Sequence, residues 1–421
     1  MTDPILITGA RVFDGTGAPS SPAEVLVEGN RITAVAGSIP TTRRDGARVI
    51  DGDGATLLPG LIDGHTHLGF GSSTEHRATR KEPFEEKVLL ISQTARVMLD
   101  AGFTSAYSGG NRLPKAEIAA RKAFAEGWLP GPRLRAASWE GSAGVEGGAF
   151  KFPGIAQRQS DPQGVAKFVA DMADLGVDIV KLNLSGESAL DHGTSRLIQF
   201  TEEEVAAAAA TARERKLWLS GHAHSADAIK LAVRNGVRAV YHSTFADEEA
   251  IDLLAGARDR LFVAPTAGII YAHLNDPLAP PMEDGMETVP THDSIRRVAP
   301  ELAARGVRLV PGGDYGFPFN PTGRNARDLR LFVEWFGMTP AEALRCATQY
   351  GGELMDMEVG LVREGYLADL LLVEGDPLAD ISLLEDPANL SMIMKDGRFH
   401  QLSPDRRADR RAARLAGSAA R

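Results

Sequence analysis

The stretch GLIDGHTHLGF, residues 60–70, places two histidines, His65 and His67, at the end of a short apolar run. Alternate residues of a β-strand point to the same side, so both imidazoles can reach one ion. Neutral imidazole is a common ligand for Zn²⁺ and similar divalent ions. The pair therefore predicts a metal-binding strand, provided that other strands supply further ligands.

Downstream of this strand, strand-like and helix-like segments alternate along the chain. The segment 87–102, KVLLISQTARVMLDAG, is typical of a helix that ends at a glycine, and 103–109, FTSAYSG, of a strand. Thr201 with Glu204, and Thr339 with Glu342, form capping boxes that open two later helices. Asn325 is predicted to cap a helix and Gly337 to end it.

Eight such strand–helix units between residues 59 and 353 predict an α/β fold, a (β/α)8 TIM barrel. A doubly wound open sheet is the alternative. Both chain ends differ from this central part in their sequence pattern. Residues 1–58 and 354–403 are typical of short strands with alternating polarity, joined by turns that contain Gly, Asp and Asn. These ends are predicted to form one composite β-sandwich domain, and the arginine-rich tail 404–421 a solvated end.

Composition places the chain among ordinary globular proteins, with 43% hydrophobic and 24% charged residues. The net charge of −10 argues against nucleic acid or an anionic membrane as a partner. The single cysteine, Cys346, cannot form a disulfide within the chain and suits a reducing compartment. No signal peptide and no 18-residue apolar run is recognisable, so a cytoplasmic location is expected.

Further ligand-type residues follow later strands of the predicted barrel. They are Lys181 in VDIVKLNLSG, His222 and His224 in LWLSGHAH, His242 in RAVYHST and Asp314 in VRLVPGGD. Active sites of such barrels lie at the carboxyl ends of the strands, so these residues are predicted to converge on one mouth. Each residue alone is more typical of a structural role, and the prediction depends on the joint pattern.

The residue types point to two-metal hydrolysis. A lysine ammonium cannot bind a metal, but the neutral amine of Lys181, buried near two cations, can take up CO₂, and the resulting carbamate can bridge the ions. Asp314 can bind one ion and accept a proton from the water between them, which becomes an activated hydroxide. Zn²⁺ is the expected ion, and Co²⁺ or Mn²⁺ would suit the same ligands.

These motifs resemble the metal-binding motifs of the amidohydrolase superfamily, in the branch that includes imidazolonepropionase and metal-dependent Xaa-Pro and Xaa-Arg dipeptidases. The likeness covers nearly the whole chain, including the terminal segments ILITGARVFDG and GYLADLLLVEGDPLADISLL. It implies the composite β-sandwich, a binuclear metal centre and an assembly of identical chains.

The resemblance also implies individual roles. His65 and His67 would hold the more buried ion, carboxylated Lys181 would bridge both ions, and His222 and His242 would hold the second. Asp314 would bind the first ion and carry the proton from water to the leaving nitrogen. His224 would contact the substrate or stabilise the oxyanion. Weaker candidates for substrate contacts are Ser185, Glu187, Tyr241 and Phe70.

The substrate is less well determined. Relatives that cleave peptides often carry a histidine in the loop after the third strand, and the matching stretch SWEGSAGVEGGAFKF has none; Lys151 and Arg324 are possible replacements. Aromatic residues in the predicted loops suit a flat, apolar small molecule. An N-acyl amino acid or dipeptide, an aryl amide, carbamate or urea, and a cyclic amide such as an imidazolone all remain open.

Three other functions are less consistent with the motifs. Deaminases of the same superfamily usually use one metal and lack the bridging lysine, which Lys181 argues against. Phosphotriester hydrolysis uses the same two-metal chemistry and stays open as a side activity. A non-enzymatic scaffold would typically have lost ligands, and every ligand is present here.

Overall fold

The computed structural model describes residues 3–72, 83–141, 161–186, 195–280, 282 and 288–403. The predictions for Glu187, Lys151 and the arginine-rich tail lie outside these residues. The strands are β1 Ile5–Val12, β2 Ser21–Glu28, β3 Arg31–Ala36, β4 Arg48–Asp51, β5 Thr56–Pro59, β6 Leu61–Thr66, β7 Phe103–Ser108, β8 Arg133–Arg135, β9 Ala137–Gly141, β10 Ile179–Asn183, β11 Trp218–Ser225, β12 Ala239–Phe245, β13 Phe262–Ala264, β14 Arg308–Leu309, β15 Leu370–Val373, β16 Leu390–Lys395 and β17 Arg398–Leu402.

The helices fall mainly between the strands from β6 onward. They are α1 Thr41–Arg44, α2 Phe84–Asp100, α3 Pro114–Ala125, α4 Pro162–Leu175, α5 Glu202–Glu214, α6 Ala226–Arg234, α7 Glu248–Gly256, α8 Ala267–Asn275, α9 Thr288–Ala304, α10 Arg327–Phe336, α11 Pro340–Arg345 and α12 Gly351–Met355, with a π-helical turn at Cys346–Tyr350.

One eight-stranded sheet contains strands from both ends of the chain. Its order is β17-β16-β15-β5-β1-β2-β3, and β4 pairs with β1. The antiparallel pairing of β15 with β5, for example Leu371 opposite Leu58, joins the C-terminal strands to the N-terminal ones. Val25, Leu57 and Met392 share one buried apolar cluster on this sheet. The two-layered sandwich and its boundaries at residues 58 and 354 stay predictions.

The central part of the chain forms two parallel sheets, with orders β6-β7-β8 and β9-β10-β11-β12-β13-β14. Their strands are buried along nearly their whole length, because packing covers both faces of a parallel sheet. Successive strands are neighbours throughout, whereas a doubly wound sheet reverses its order at a switch point. The α/β class is thus confirmed, and the strand order argues against the open-sheet alternative.

The helix ends agree with most of the predicted caps. Both capping boxes, at Thr201 and Thr339, are present. Gly337 ends α10 in the left-handed conformation, with φ of 70°. The predicted cap at Asn325 is wrong, because α10 begins after Ala326 and the Asn325 amide donates to Asp63 instead.

None of the helices in the described part of the chain is both long and apolar enough to cross a bilayer.

Candidate metal centre

A first group of ligand-type residues gathers at the carboxyl end of β6. The Nε2 atoms of His65 and His67 are 3.2 Å apart, and His67 Nε2 lies 3.2 Å from Asp314 Oδ1. Asp314 follows β14, and a parallel bridge between Thr66 and Tyr315 holds these two segments together. Three potential ligand atoms from two segments therefore converge on one buried point.

The backbone determines which nitrogen of His67 is available. His67 Nδ1 lies 3.0 Å from the carbonyl oxygen of Gly110. A carbonyl can only accept, so Nδ1 carries the proton and the lone pair of the neutral ring lies on Nε2. That lone pair points at Asp314 and His65. Because the Asp314 carboxylate is also an acceptor, only a proton or a metal cation between His67 Nε2 and Asp314 Oδ1 can satisfy both.

A second group consists of three histidines on two adjacent strands. His222 and His224 lie on β11 and His242 on β12, with ligand atoms within 4.8 Å of one another. The rings are closely packed, since the His242 centroid is 4.2 Å from those of both His222 and His224. The period-two spacing along β11 brings two of these rings to one side of the sheet.

Neighbouring hydroxyl and carbonyl groups orient this second group. Thr266 Oγ1 donates to the Pro265 carbonyl at 2.8 Å, and it therefore accepts from His242 Nδ1, also at 2.8 Å. His242 Nε2 then holds a lone pair, and it is buried without a hydrogen-bond partner among the described residues. Such an orphaned acceptor fits a metal ligand. His222 Nε2 lies 3.1 Å from the Gly186 carbonyl, so its lone pair is on Nδ1.

Lys181 on β10 is a buried lysine near these histidines. Its Nζ donates to the Gly109 carbonyl at 2.8 Å and lies 4.7 Å from the centre of the Tyr241 ring. That ring in turn stacks on His65, with centroids 3.8 Å apart. Lys181 is only 2% exposed, so its amine is out of contact with bulk water.

Burial keeps most of these imidazoles neutral. It lowers the pKa of His65, His222 and His242 well below the ordinary value. Burial likewise lowers the pKa of His224, to about 3. Neutral imidazole is the form that binds metal ions.

His67 and Asp314 behave as an ion pair in the absence of a cation. Burial lowers the pKa of His67, but the adjacent Asp314 carboxylate outweighs it and the pKa lies above the ordinary value. Burial raises the pKa of Asp314, but His65 and His67 outweigh it and hold the pKa well below the ordinary range. Asp314 is therefore ionised at neutral pH.

The backbone is strained at four positions of the centre. His242, Ser243, Thr266 and Asp314 have φ of 70°, 51°, 55° and 57°. Positive φ is costly for non-glycine residues, above all for β-branched threonine, and strain of this kind clusters at functional sites.

Two buried carboxylates, Asp63 and Asp328, hydrogen-bond to the segments that carry His65 and Asp314. Asp63 accepts from the His65 amide at 2.8 Å and from the Asn325 amide group at 2.7 Å. Asp328 on α10 accepts from the Gly312 amide at 2.8 Å and from the Tyr315 hydroxyl at 3.0 Å. These residues act through the backbone of the ligand segments. The sequence analysis missed them, although Asp63 lies within the GLIDGHTH motif.

The weaker substrate candidates occupy different places. Ser185 is fully buried, and its Oγ accepts from the His224 amide at 2.9 Å. Tyr241 is also fully buried, beneath His65. The structure gives both side chains a packing role, and a contact with substrate stays a prediction. Phe70 stacks on His67 with centroids 4.3 Å apart, and Arg324 is exposed.

A third carboxylate, Glu117 on α3, fixes the loop that follows β7. It accepts from Ser108 Oγ at 3.0 Å and from the Ala137 amide at 2.9 Å. Burial raises its pKa from 4.5 to about 7, against the effect of these hydrogen bonds. Between about pH 4.5 and about pH 7, Glu117 is therefore protonated in the folded chain and ionised in the unfolded chain.

This shift predicts a pH dependence of stability. The contribution of Glu117 to the free energy of unfolding is fully present below about pH 4.5 and is lost as the pH rises through about 7. The free energy of unfolding falls by at most about 3 kcal/mol over this range because of Glu117. Glu117→Gln should remove this part of the decline, as measured by urea unfolding with chelator at about pH 5 and about pH 8. The exposed Glu126→Gln is the control, and an unchanged decline in Glu117→Gln would contradict the assignment.

Sequence analysis also missed Glu140 at the end of β9. Its Oε1 lies 3.6 Å from His67 Nδ1, and its side chain is 13% exposed. It pairs in register with Lys181 on the neighbouring strand. The stretch SWEG gave no signal, because a single acidic residue near a strand end is usually solvated.

Comparison with known proteins places this chain in a family. The model of the amidohydrolase family matches residues 56–399. Ochratoxinase of Aspergillus niger is 27% identical over 227 residues, which are 53% of this chain and 46% of ochratoxinase. The chain thus matches about half the length of that relative.

Two further relatives match over nearly their whole length. Imidazolonepropionase of Cereibacter sphaeroides is 24% identical over 426 residues, covering 93% of this chain and 98% of that protein. The crystal structure of a Xaa-Pro dipeptidase with bound methionine in the active site superposes with a TM-score of 0.81 at 28% identity. That likeness covers 95% of this chain and 100% of the dipeptidase.

Proposed function

Because this chain belongs to the amidohydrolase family, whose members related to it are hydrolases of C–N bonds, we propose that it is a binuclear metal-dependent hydrolase of a small-molecule amide-type bond. The observation that carries the proposal is the pair of buried ligand groups, one around His67 and one around His242. In the second group, His242 Nε2 holds a lone pair that no described protein donor satisfies. In the first group, His67 Nε2 can satisfy Asp314 only by carrying a second proton, because its Nδ1 proton is directed to Gly110.

The residues fit two divalent ions. His65, His67 and Asp314 would hold one ion and His222 and His242 the other, with Lys181 as a CO₂-derived carbamate between them. Zn²⁺ suits this donor set, and Co²⁺ or Mn²⁺ would also fit. When bound, such ions acidify water and polarise a carbonyl.

The protein residues then have separate tasks. Asp314, ionised at neutral pH, accepts the proton of the attacking water and passes it to the departing nitrogen. His224, whose Nδ1 lies 2.8 Å from Thr244 Oγ1, is proposed to hydrogen-bond the carbonyl oxygen as it gains charge. Asp63 and Asp328 keep the ligand segments in position.

The two parallel sheets are proposed to close into one (β/α)8 barrel. The Gly64 amide donates to the Pro311 carbonyl at 2.8 Å, which supports pairing between the first and last strands. The other edges of the two sheets are formed by β8 and β9, and a single residue, Ala136, separates these strands along the chain. Closure would place all ligands at the carboxyl-end face.

The substrate is proposed to carry an aromatic or otherwise apolar group. The ring centroids of Phe70 and Phe317 are 5.5 Å apart, and those of Phe317 and Phe319 are 5.4 Å apart. Because Phe70 also stacks on His67, these three rings form a continuous aromatic surface beside His67. An aryl amide, carbamate or urea and an N-acyl amino acid both suit this surface. The likeness to a Xaa-Pro dipeptidase and to imidazolonepropionase keeps a dipeptide and a cyclic amide as alternatives.

A homo-oligomer and a cytoplasmic location stay predictions.

The test is amine release by the Zn²⁺-loaded protein from a mixed panel. One half contains dipeptides and N-acyl amino acids, and the other contains anilides, aryl carbamates and aryl ureas. Turnover that chelator removes and Zn²⁺ restores is expected in at least one half. A cyclic amide is added to the panel, and its ring opening is followed by absorbance because it releases no amine. A protein that binds two zinc ions and turns over none of these compounds would contradict the proposal.

A further inference from the structure

Glu140 is a carboxylate beside the centre that the proposed reaction does not use. It lies at the carboxyl end of β9, where the other predicted functional residues of the parallel strands also lie. Its side chain is 13% exposed, so most of the carboxylate is withdrawn from water. A withdrawn charge of this kind is costly unless a cation or hydrogen-bond donors compensate it.

The described residues supply little of this compensation. The nearest described donor, His67 Nδ1, is 3.6 Å from Glu140 Oε1, beyond ordinary hydrogen-bond distance. Its single proton is directed to the Gly110 carbonyl at 3.0 Å. Among the described residues, no other donor forms a hydrogen bond with the Glu140 carboxylate. When His67 serves as a neutral ligand, it cannot neutralise Glu140.

The Glu140 side chain packs against Gly110, where any larger residue would clash with it. A Cβ built on Gly110 would come within 2.6 Å of Glu140 Cγ, and the φ of 125° at Gly110 suits glycine alone. Glu140 also pairs in register with Lys181, so its strand position is fixed by the same sheet that carries the proposed bridging residue. The carboxylate is thus held at a defined place next to the reacting groups.

We propose that Glu140 is a subsite for a substrate ammonium group. The substrate class is then an aminoacyl amide or dipeptide with a free amino end, because an ammonium brings three donors and a positive charge to a carboxylate that no described donor reaches within hydrogen-bond distance. This inference rests on the proposed function, since the amine must belong to a compound whose C–N bond this centre hydrolyses.

The test compares matched substrates that differ only in the amino group. Each pair contains an aminoacyl anilide or dipeptide with a free amine and its N-acetylated form. For the wild-type Zn²⁺ protein, kcat/KM should favour the free amine. Glu140→Gln, which keeps size but removes the charge, should lower that preference by about 10- to 100-fold, as expected for a hydrogen-bonded charge. The exposed Glu203→Gln on α5 is the matched control and should keep the preference.

Equilibrium binding separates this inference from the proposed function. In an Asp314→Asn background, calorimetry should show tighter binding of the free amine than of its acetylated form, and Glu140→Gln should remove the difference. An unchanged preference in Glu140→Gln, or a wild-type preference for the acetylated form, overturns the subsite. Equal losses for both forms together with lost zinc would also overturn it, because Glu140 would then act only through His67. Absence of any turnover with the binding preference intact would count against the proposed function alone.

Discussion

Asp314→Asn is expected to lower kcat by roughly 10²–10⁴-fold, the usual contribution of a positioned general acid–base group. The Asp314 carboxylate is ionised at neutral pH and lies 3.2 Å from His67 Nε2, so it can accept a proton at the centre. An amide oxygen can still contact a cation, but it cannot take up a proton. Turnover should therefore fall much more than zinc content, as measured by steady-state kinetics and metal analysis of the same samples.

The substitution should leave the backbone in place. Asp314 has φ of 57°, a left-handed conformation that asparagine also tolerates. Asp356 provides a matched control, because it has φ of 52° at the end of α12 and can be changed to asparagine in the same way. Asp356→Asn should keep full turnover. Retention of most activity in Asp314→Asn would refute its role as proton carrier.

Lys181→Ala is expected to have a comparable effect through the metals. Loss of an outer partner of a ligand commonly costs 10- to 100-fold in affinity or activity, so loss of a bridging oxygen should cost at least about 100-fold. Lys181 is 2% exposed, and its truncation to alanine leaves space beside the Gly109 carbonyl. A short carboxylic acid such as acetate can enter this space and replace the carbamate oxygens. Partial recovery of zinc content and turnover with acetate is therefore expected.

The control for this experiment is a lysine outside the centre. Lys395, at the end of β16 in the other sheet, is also largely withdrawn from solvent and lies 3.5 Å from Asp396. Lys395→Ala should keep both ions and should not respond to acetate. If Lys181→Ala itself kept two ions and full turnover without added acid, the carbamate would have to be abandoned.

Much of the fold could be predicted because its signals are local. The capping boxes at Thr201 and Thr339 depend on residues three positions apart, and both are present. The prediction that His65 and His67 lie together depends on the period of a strand, and the structure places their Nε2 atoms 3.2 Å apart. Strand ends of a parallel sheet share one edge, so the positions of His222 and His242 followed from the same pattern.

Other features depend on contacts between distant parts of the chain. Asn325 resembled a helix cap, but its amide bonds to Asp63, 262 positions away in sequence. Glu140 had no recognisable pattern, because its proposed role depends on a distance of 3.6 Å from its Oε1 to Nδ1 of His67, which lies just after β6. Local spacing contains no information on such pairs.

The sequence by itself therefore determined which strand ends carry the residues of the candidate metal centre and the family to which the chain belongs. The tertiary structure alone decided which nitrogen of His67, His242 and His222 holds the lone pair. Gly110, Thr266 and Gly186 respectively supply the groups that orient these three rings. The physical reason is that strand period fixes the direction of a side chain, whereas protonation depends on donors and acceptors that only folding brings within hydrogen-bond distance.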